Sequence, residues 1–134
     1  ERLSHGDATL RNVLFDPGTG EARWFDFDTA HDPGLSPAWR HGDDLRALVY
    51  SAVESFADVP VAVLLRTVGD AYDDPGPWEE LRDRLARGIL HGSPLHLAQA
   101  SPPEGRRREL ESVLLQGLRG ADRSGEMVDG RSIG

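Results

Sequence analysis

The segment spanning residues 4–30 contains the side chains best suited to chemistry. They are His5, Asp7, Asn12, Asp26 and Asp28. Carboxylates and a carboxamide supply hard oxygen ligands, which suit Mg²⁺ held together with substrate phosphates. The chain has no cysteine, and neither His5 nor His31 has the spacing of a zinc finger or of a His-Glu-x-x-His helix. The residue types therefore favour a phosphate-associated magnesium site over a zinc site.

Two short apolar runs, Val13–Phe15 and Trp24–Phe27, separate these polar residues into two groups. Between the runs lies Asp-Pro-Gly-Thr-Gly at residues 16–20. Proline fixes φ and glycine accepts positive φ, so this pentamer predicts a turn. Strand, turn and strand together predict a small β-ribbon. Pairing of its strands would bring the polar residues that precede the first strand close to those that follow the second.

Two motifs resemble those of the protein-kinase-like superfamily. His-Gly-Asp-Ala-Thr-Leu-Arg-Asn at residues 5–12 is similar to the catalytic loop, His-x-Asp-x4-Asn, and Asp-Phe-Asp at residues 26–28 is similar to the metal-binding Asp-Phe-Gly. The glycine after the histidine and the final aspartate are typical of the aminoglycoside phosphotransferase and choline kinase branch. The resemblance extends from Leu3 to about Phe56. It implies an α+β, mainly α fold, the C-terminal lobe of a kinase-like protein with one small β-ribbon followed by helices.

The resemblance also implies roles for individual residues. Asp7 matches the residue that accepts the proton of the substrate hydroxyl, and Asn12 and Asp26 match the Mg²⁺ ligands that also bind the nucleotide. Asp28 stands where protein kinases have glycine, and is either a further carboxylate near the metal or a turn cap. Arg11 either steadies the transferred phosphoryl group or pairs with a surface carboxylate. The implied cofactors are Mg²⁺ and ATP, or another nucleoside triphosphate.

Two further residues are expected to support the catalytic loop. His5 would hold it by hydrogen bonds, and Asp44 would brace it from a long buried helix. The alternative for Asp44 is an ordinary first-turn carboxylate that the helix dipole favours. Taken singly, each aspartate or asparagine of the motifs could simply be a turn former.

The basic residues of the chain differ from those of a complete kinase. The chain has 15 arginines and no lysine. Kinases, in contrast, hold ATP with a lysine and a glycine-rich loop. We therefore expect a fragment or truncated copy of the C-terminal lobe, inactive without an N-terminal lobe or a second chain. The expected acceptor is a small molecule that carries a hydroxyl group. The acidic chain would suit a cationic acceptor, although net charge alone selects no substrate. The arginine-, glycine- and alanine-rich composition suggests a bacterial source.

Two other functions remain open at this point. The first is a non-catalytic kinase-like binding module that pairs with a partner chain, since an absent nucleotide lobe would leave apolar surface exposed. The second is a magnesium-dependent phosphohydrolase, for which the ligands are present but no nucleophile or lid is evident.

Composition narrows the range of partners and locations. The net charge of −8 argues against non-specific nucleic-acid binding, which depends on neutralising phosphates. No apolar run reaches membrane-spanning length. The absence of cysteine leaves the redox compartment undetermined, with the cytoplasm as the default.

The rest of the sequence predicts helices separated by breaks. Proline and glycine predict a loop over residues 31–40 and a turn over residues 72–77. Apolar periodicity and capping residues predict four helices. Their predicted bounds are Asp44–Phe56 with Asp43 as N-cap, Pro60–Ala71, Trp78–Leu90 and Glu104–Leu118. Residues 1–119 are expected to form the domain and residues 120–134 a disordered tail.

Overall fold

A computed structural model describes residues 3–88 and 101–116. Within these ranges the chain is α+β and mainly helical, which confirms the predicted class. A short 3₁₀ turn leads into a two-stranded antiparallel sheet, and four α-helices follow. The elements are the 3₁₀ turn Leu10–Asn12, β1 (Val13–Asp16), β2 (Glu21–Trp24), α1 (Pro37–Ser55), α2 (Val61–Ala71), α3 (Pro75–Ala86) and α4 (Glu104–Gln116).

The β-ribbon forms where the sequence predicts it, but the bounds predicted for its second strand are wrong. The strands pair from Val13 opposite Trp24 to Asp16 opposite Glu21. The Phe25 N–H still donates to the carbonyl oxygen of Asn12 at 3.0 Å. The next residue, Asp26, has a φ of 60°. This left-handed conformation is incompatible with an extended strand, so the strand cannot continue to Phe27.

Helix α1 begins earlier than predicted, and the predicted loop over residues 31–40 is wrong at its C-terminal end. The Ser36 hydroxyl accepts a hydrogen bond from the Trp39 N–H, and Pro37 occupies the first turn. Proline is well tolerated there because the first helical N–H groups have no partner within the helix. Asp43, predicted as the N-cap, lies inside α1 and is 1% exposed. Ser36 is the cap instead.

Residues at the helix ends set the bounds of α2 and α3. Helix α2 starts directly after Pro60, as predicted. Helix α3 starts at Pro75 because the Asp74 carboxylate accepts a hydrogen bond from the Gly76 N–H at 3.2 Å, so the predicted turn is shorter than expected. It ends at Ala86, two residues before a glycine with a φ of 69°. The predicted extension of the third helix to Leu90 is therefore wrong. The predicted end of the fourth helix, Leu118, and the predicted tail lie outside the described residues.

Helix α1 lies at the centre of the core. Buried apolar side chains from all four helices pack together, and they include Leu45, Val49, Val53, Val61, Leu81, Leu110 and Leu114. Burying a leucine or valine side chain contributes roughly 1.5–3 kcal/mol to folding. Helices α1 and α3 approach closely at Gly42, where an added Cβ would lie 3.0 Å from the Pro77 carbonyl oxygen. None of the described helices is both long and apolar enough to cross a bilayer.

Candidate functional site

Asn12 determines the orientation of Asp7. The two residues belong to residues 4–12, which we name the Asp7 loop. The Asn12 side-chain nitrogen donates to the Asp7 carbonyl oxygen and to the Asp7 carboxylate, both at 2.9 Å. Asn12 is buried and Asp7 is half-buried. Because the nitrogen makes both bonds, the side-chain oxygen of Asn12 is the atom that could serve as a metal ligand.

Asp44 holds the beginning of the Asp7 loop. Its two carboxylate oxygens accept hydrogen bonds from the backbone N–H groups of His5 at 2.8 Å and Gly6 at 2.9 Å. Burial raises the pKa of Asp44, and the two backbone donors oppose this shift. The carboxylate therefore connects α1 to a loop that lies 38 and 39 positions earlier in the chain.

The His5 ring joins the Asp7 loop to the end of the ribbon. Nδ1 lies 3.2 Å from the Asp7 backbone nitrogen, and Nε2 lies 2.8 Å from the Phe25 carbonyl oxygen. Since the first partner is a donor and the second an acceptor, these contacts fit a ring that accepts at Nδ1 and donates from Nε2. The ring centroid also lies 5.2 Å from that of Trp24 and 4.5 Å from that of Phe27.

The segment that follows the ribbon crosses directly over the Asp7 loop. We name residues 25–31 the Asp26 loop. Gly6 has a φ of 84°, and a Cβ at this position would lie 2.5 Å from the Thr29 carbonyl oxygen. Only glycine allows both the left-handed backbone and this close approach. The sequence pattern identified Gly6 as part of a motif, but the structure gives the physical reason for it.

The far end of the Asp7 loop is held by a residue that sequence reasoning missed. The Leu10 N–H donates to the Ser51 hydroxyl at 3.0 Å. Ser51 is buried in α1 and also donates to the Leu48 carbonyl oxygen. The signal in the sequence that could have identified Ser51 was a polar residue within an otherwise apolar stretch of a predicted helix.

Asp26, Asp28 and Arg11 are exposed. The Phe25 N–H donates to the carbonyl oxygen of Asn12, the last residue of the Asp7 loop. Asp26 is the next residue after Phe25, so its backbone lies close to that end of the loop. Its positive φ is unusual for a residue other than glycine and occurs often at functional sites. Asp28 lies in a turn two residues later. The roles of Asp28 and Arg11 stay predictions.

The acidic side chains do not by themselves form a closed metal cage. Within residues 3–88 and 101–116, no three His, Cys, Asp or Glu side chains are grouped closely enough to hold a metal ion. The pair that the structure does bring together is Asp7 and Asn12. The hydrogen bond between them leaves the Asn12 side-chain oxygen available for another partner.

A buried ionic cluster lies next to the site, centred on Asp43. Its Oδ1 accepts hydrogen bonds from Arg46 Nε at 3.2 Å and Arg84 Nη2 at 3.4 Å. Burial lowers the pKa of the Arg84 guanidinium, and Asp43 opposes this shift. The Trp39 ring lies under the same guanidinium, with its centroid 4.2 Å from Cζ.

Two cavities differ in their relation to the site. One of about 210 Å³ lies beside His5, Asp44 and Phe27. A larger groove of about 590 Å³ lies between α2, α3 and α4, and its walls include Leu65 and Trp78 but no residue of the Asp7 loop. The larger groove is therefore separate from the candidate chemistry.

Comparison with family models, curated proteins and solved structures finds no match to this chain.

Proposed function

We propose that this chain is the C-terminal lobe of an ATP-dependent phosphotransferase that acts on a small-molecule hydroxyl. The proposed class is the aminoglycoside phosphotransferase and choline kinase branch of the protein-kinase-like superfamily. The observation that carries the proposal is the double hydrogen bond from the Asn12 amide to the carbonyl and carboxylate of Asp7. It joins the third and eighth residues of the predicted catalytic loop in one rigid unit.

Asp7 is the proposed base. Its carboxylate is half-buried and is oriented by Asn12, so it can accept a proton from an acceptor hydroxyl placed about 2.6–3.2 Å away. Because phosphoryl transfer requires mainly positioning and charge stabilisation, a fixed carboxylate is the main contribution that this loop can make. Asp44 and His5 keep the loop in place through their contacts with its backbone.

The donor set fits Mg²⁺ with a nucleoside triphosphate. The Asn12 side-chain oxygen and the Asp26 carboxylate would hold the ion, and Asp28 could add a further carboxylate. Bound there, Mg²⁺ would neutralise phosphate charge. The 134 residues contain no lysine, so we propose that an N-terminal lobe or a second chain supplies the other contacts to ATP.

The proposal extends to the acceptor substrate, the cellular location and the source of the protein. A chain with a net charge of −8 favours a cationic acceptor over an anionic one. An ATP-dependent reaction on a small molecule is consistent with the cytoplasm, and we propose a bacterial source from the composition.

Calorimetric titration with Mg²⁺–ATP tests the metal site. The wild-type chain should bind weakly, and Asp26→Ala should abolish the binding. Asp32→Ala is the matched control, since Asp32 is also exposed and lies outside the predicted motifs. Equal binding by wild type and Asp26→Ala would remove Asp26 from the site.

Kinetic analysis tests the proposed base. In an enzyme assembled with its nucleotide-binding lobe, Asp7→Ala should reduce turnover strongly and leave ATP affinity nearly unchanged, because Asp7 acts on the acceptor hydroxyl. Loss of ATP affinity with normal turnover would show that the role is misassigned.

Exposed apolar side chains in the ribbon and directly after it favour a second candidate function, a non-catalytic module that pairs with a partner chain. Leu14 and Phe15 are each 63% exposed, and Phe27 is 58% exposed. Exposed apolar side chains that cluster on a surface often mark an interface. Association of the chain with a partner through Leu14 and Phe15, without Mg²⁺–ATP binding, would favour this function over phosphotransfer.

A further inference from the structure

We propose that His31 is a positioning residue that fixes the Asp26 loop against both the Asp7 loop and helix α1. The inference deepens the proposed function and rests on it only for the catalytic consequence, namely the placement of Asp26. The contacts themselves do not depend on any activity.

His31 bridges two elements with its two ring nitrogens. Nδ1 lies 3.0 Å from the Ser4 hydroxyl oxygen, and Nε2 lies 3.1 Å from Asp43 Oδ2. The side chain is 5% exposed, and the Trp39 ring meets it edge-on with centroids 5.9 Å apart. A buried side chain with both polar atoms bonded has little freedom to move.

The helical end of this bridge is rigid. Asp43 Oδ1 is bonded to guanidinium groups from α1 and α3, and the Asp43 side chain is 1% exposed. A carboxylate oxygen accepts hydrogen bonds, so Asp43 Oδ2 accepts the Nε2–H of His31. In a neutral ring, Nδ1 then accepts the hydroxyl proton of Ser4.

The other end of the bridge lies at the start of the Asp7 loop. Ser4 directly precedes His5, whose backbone N–H is bonded to Asp44. The consecutive carboxylates Asp43 and Asp44 therefore hold the same loop, one through His31 and one directly. Together with the contact between Gly6 and Thr29, the bridge fixes the end of the Asp26 loop that lies farthest from the ribbon.

This fixation matters because the middle of the Asp26 loop has little burial of its own. Residues 25–28 are exposed, and Asp26 has a left-handed backbone. Such a conformation persists only where the surrounding structure determines it. The ribbon holds one end of this segment and His31 holds the other.

Ser4, His31 and Asp43 also have the order of partners found in nucleophilic serine triads. Here the aspartate is shared with two guanidinium groups and the imidazole is enclosed. The arrangement therefore suits a structural bridge and not a nucleophile relay.

Amide hydrogen exchange on three His31 variants tests the bridge. His31→Gln can retain a donor to Asp43, His31→Asn can retain a partner for Ser4, and His31→Ala retains neither. We expect His31→Ala to accelerate exchange of the His5 and Gly6 amides by about tenfold relative to the Leu10 amide, the size expected when about one buried hydrogen bond is lost. The Gln and Asn variants should show smaller increases.

Two controls exclude a general loss of stability. Val61→Ala lowers stability from a fully buried position in α2, and it should change the His5 and Leu10 amides equally. Long-range ¹H–¹⁵N spectra provide a direct signature, since Ser4→Ala should shift the Nδ1 resonance of His31 and leave Nε2 nearly unchanged. Three results would overturn the proposal: unchanged exchange in His31→Ala, a selective acceleration of the His5 amide in Val61→Ala as large as that in His31→Ala, or an unmoved Nδ1 resonance.

A Mg²⁺–ATP titration separates failure of this inference from failure of the proposed function. If wild type binds and His31→Ala binds equally well, the positioning role is overturned. If wild type does not bind but the exchange pattern is as expected, the proposed function is overturned and the bridge is supported.

Discussion

Replacing Asp44 with asparagine removes one of the two carboxylate oxygens that hold the start of the Asp7 loop. In the wild type these oxygens accept the N–H groups of His5 and Gly6. Asparagine offers one oxygen and turns an NH₂ group towards the other donor. One buried N–H therefore loses its partner.

The magnitude follows from two opposing effects. A hydrogen bond to a charged group contributes about 1.5–3 kcal/mol. Burial raises the pKa of Asp44, which means that its ionised form is disfavoured, and removal of the charge recovers part of the loss. We expect Asp44→Asn to lower the free energy of unfolding by about 1–2 kcal/mol at neutral pH, as measured by urea denaturation.

The same pKa shift predicts how this difference changes with pH. The pKa of Asp44 is raised from 3.8 in the folded protein, so the folded state binds more protons than the unfolded state just above that value. The contribution of Asp44 to the free energy of unfolding is then fully present below pH 3.8. It is lost as the pH rises through the folded-state pKa. Asparagine does not titrate, so the stability difference between wild type and Asp44→Asn should shrink as pH rises.

Urea denaturation of both proteins from about pH 4 to about pH 7 provides the test. Other carboxylates titrate in both proteins and largely cancel in the difference. A difference that grows with pH would refute the reasoning, because it would show that the ionised carboxylate is the favoured form in the folded state. A variant as stable as wild type at every pH would show that Asp44 does not hold the loop.

Three further substitutions should each lower the free energy of unfolding in urea. Gly6→Ala should cost about 3 kcal/mol or more, because its Cβ would lie 2.5 Å from the Thr29 carbonyl oxygen at a φ of 84°. Asp43→Asn should cost about 3–5 kcal/mol, since it leaves the buried Arg84 without its carboxylate. Arg106→Ala should cost about 1–3 kcal/mol, because its guanidinium donates to three carbonyl oxygens around the end of α1.

Matched variants show what would contradict these expectations. Gly20 has a φ of 74° with no atom within 4 Å of an added Cβ, so Gly20→Ala should cost only the left-handed penalty of about 1–2 kcal/mol. Equal losses at Gly6 and Gly20 would rule out the clash. Arg107→Ala should change stability by less than about 1 kcal/mol, since the exposed Arg107 reaches the half-buried Glu111 only at 4.0 Å, a contact that solvent screens. An Arg107 effect as large as that of Arg106 would contradict the capping role, and a small loss in Asp43→Asn would contradict the buried cluster.

The helical content could be predicted because the signals for it are local. Apolar spacing identified the helices, and Pro60 correctly marked the start of α2. The errors arose where one residue type has two meanings. The proline pattern predicts a loop at Pro37, although Pro37 begins a helix after the Ser36 cap. The apolar run predicts a strand as far as Phe27, but the left-handed backbone of Asp26 ends that strand earlier.

The sequence alone identified Asp7 and Asn12 as members of one motif. In the structure they lie on one loop and are joined by a hydrogen bond. The sequence predicted different roles for the adjacent aspartates of α1, a brace for Asp44 and an N-cap for Asp43, but it gave no sign of the ionic partners of Asp43. Asp43 binds Arg84 in another helix, whereas Asp44 binds the backbone of the Asp7 loop. Successive residues of an α-helix point about 100° apart, so two identical neighbours face different parts of the molecule. His5 and Gly6 lie 39 and 38 positions from Asp44, and Arg84 lies 41 positions from Asp43, so only the packing of the helices decides which of these groups each carboxylate meets.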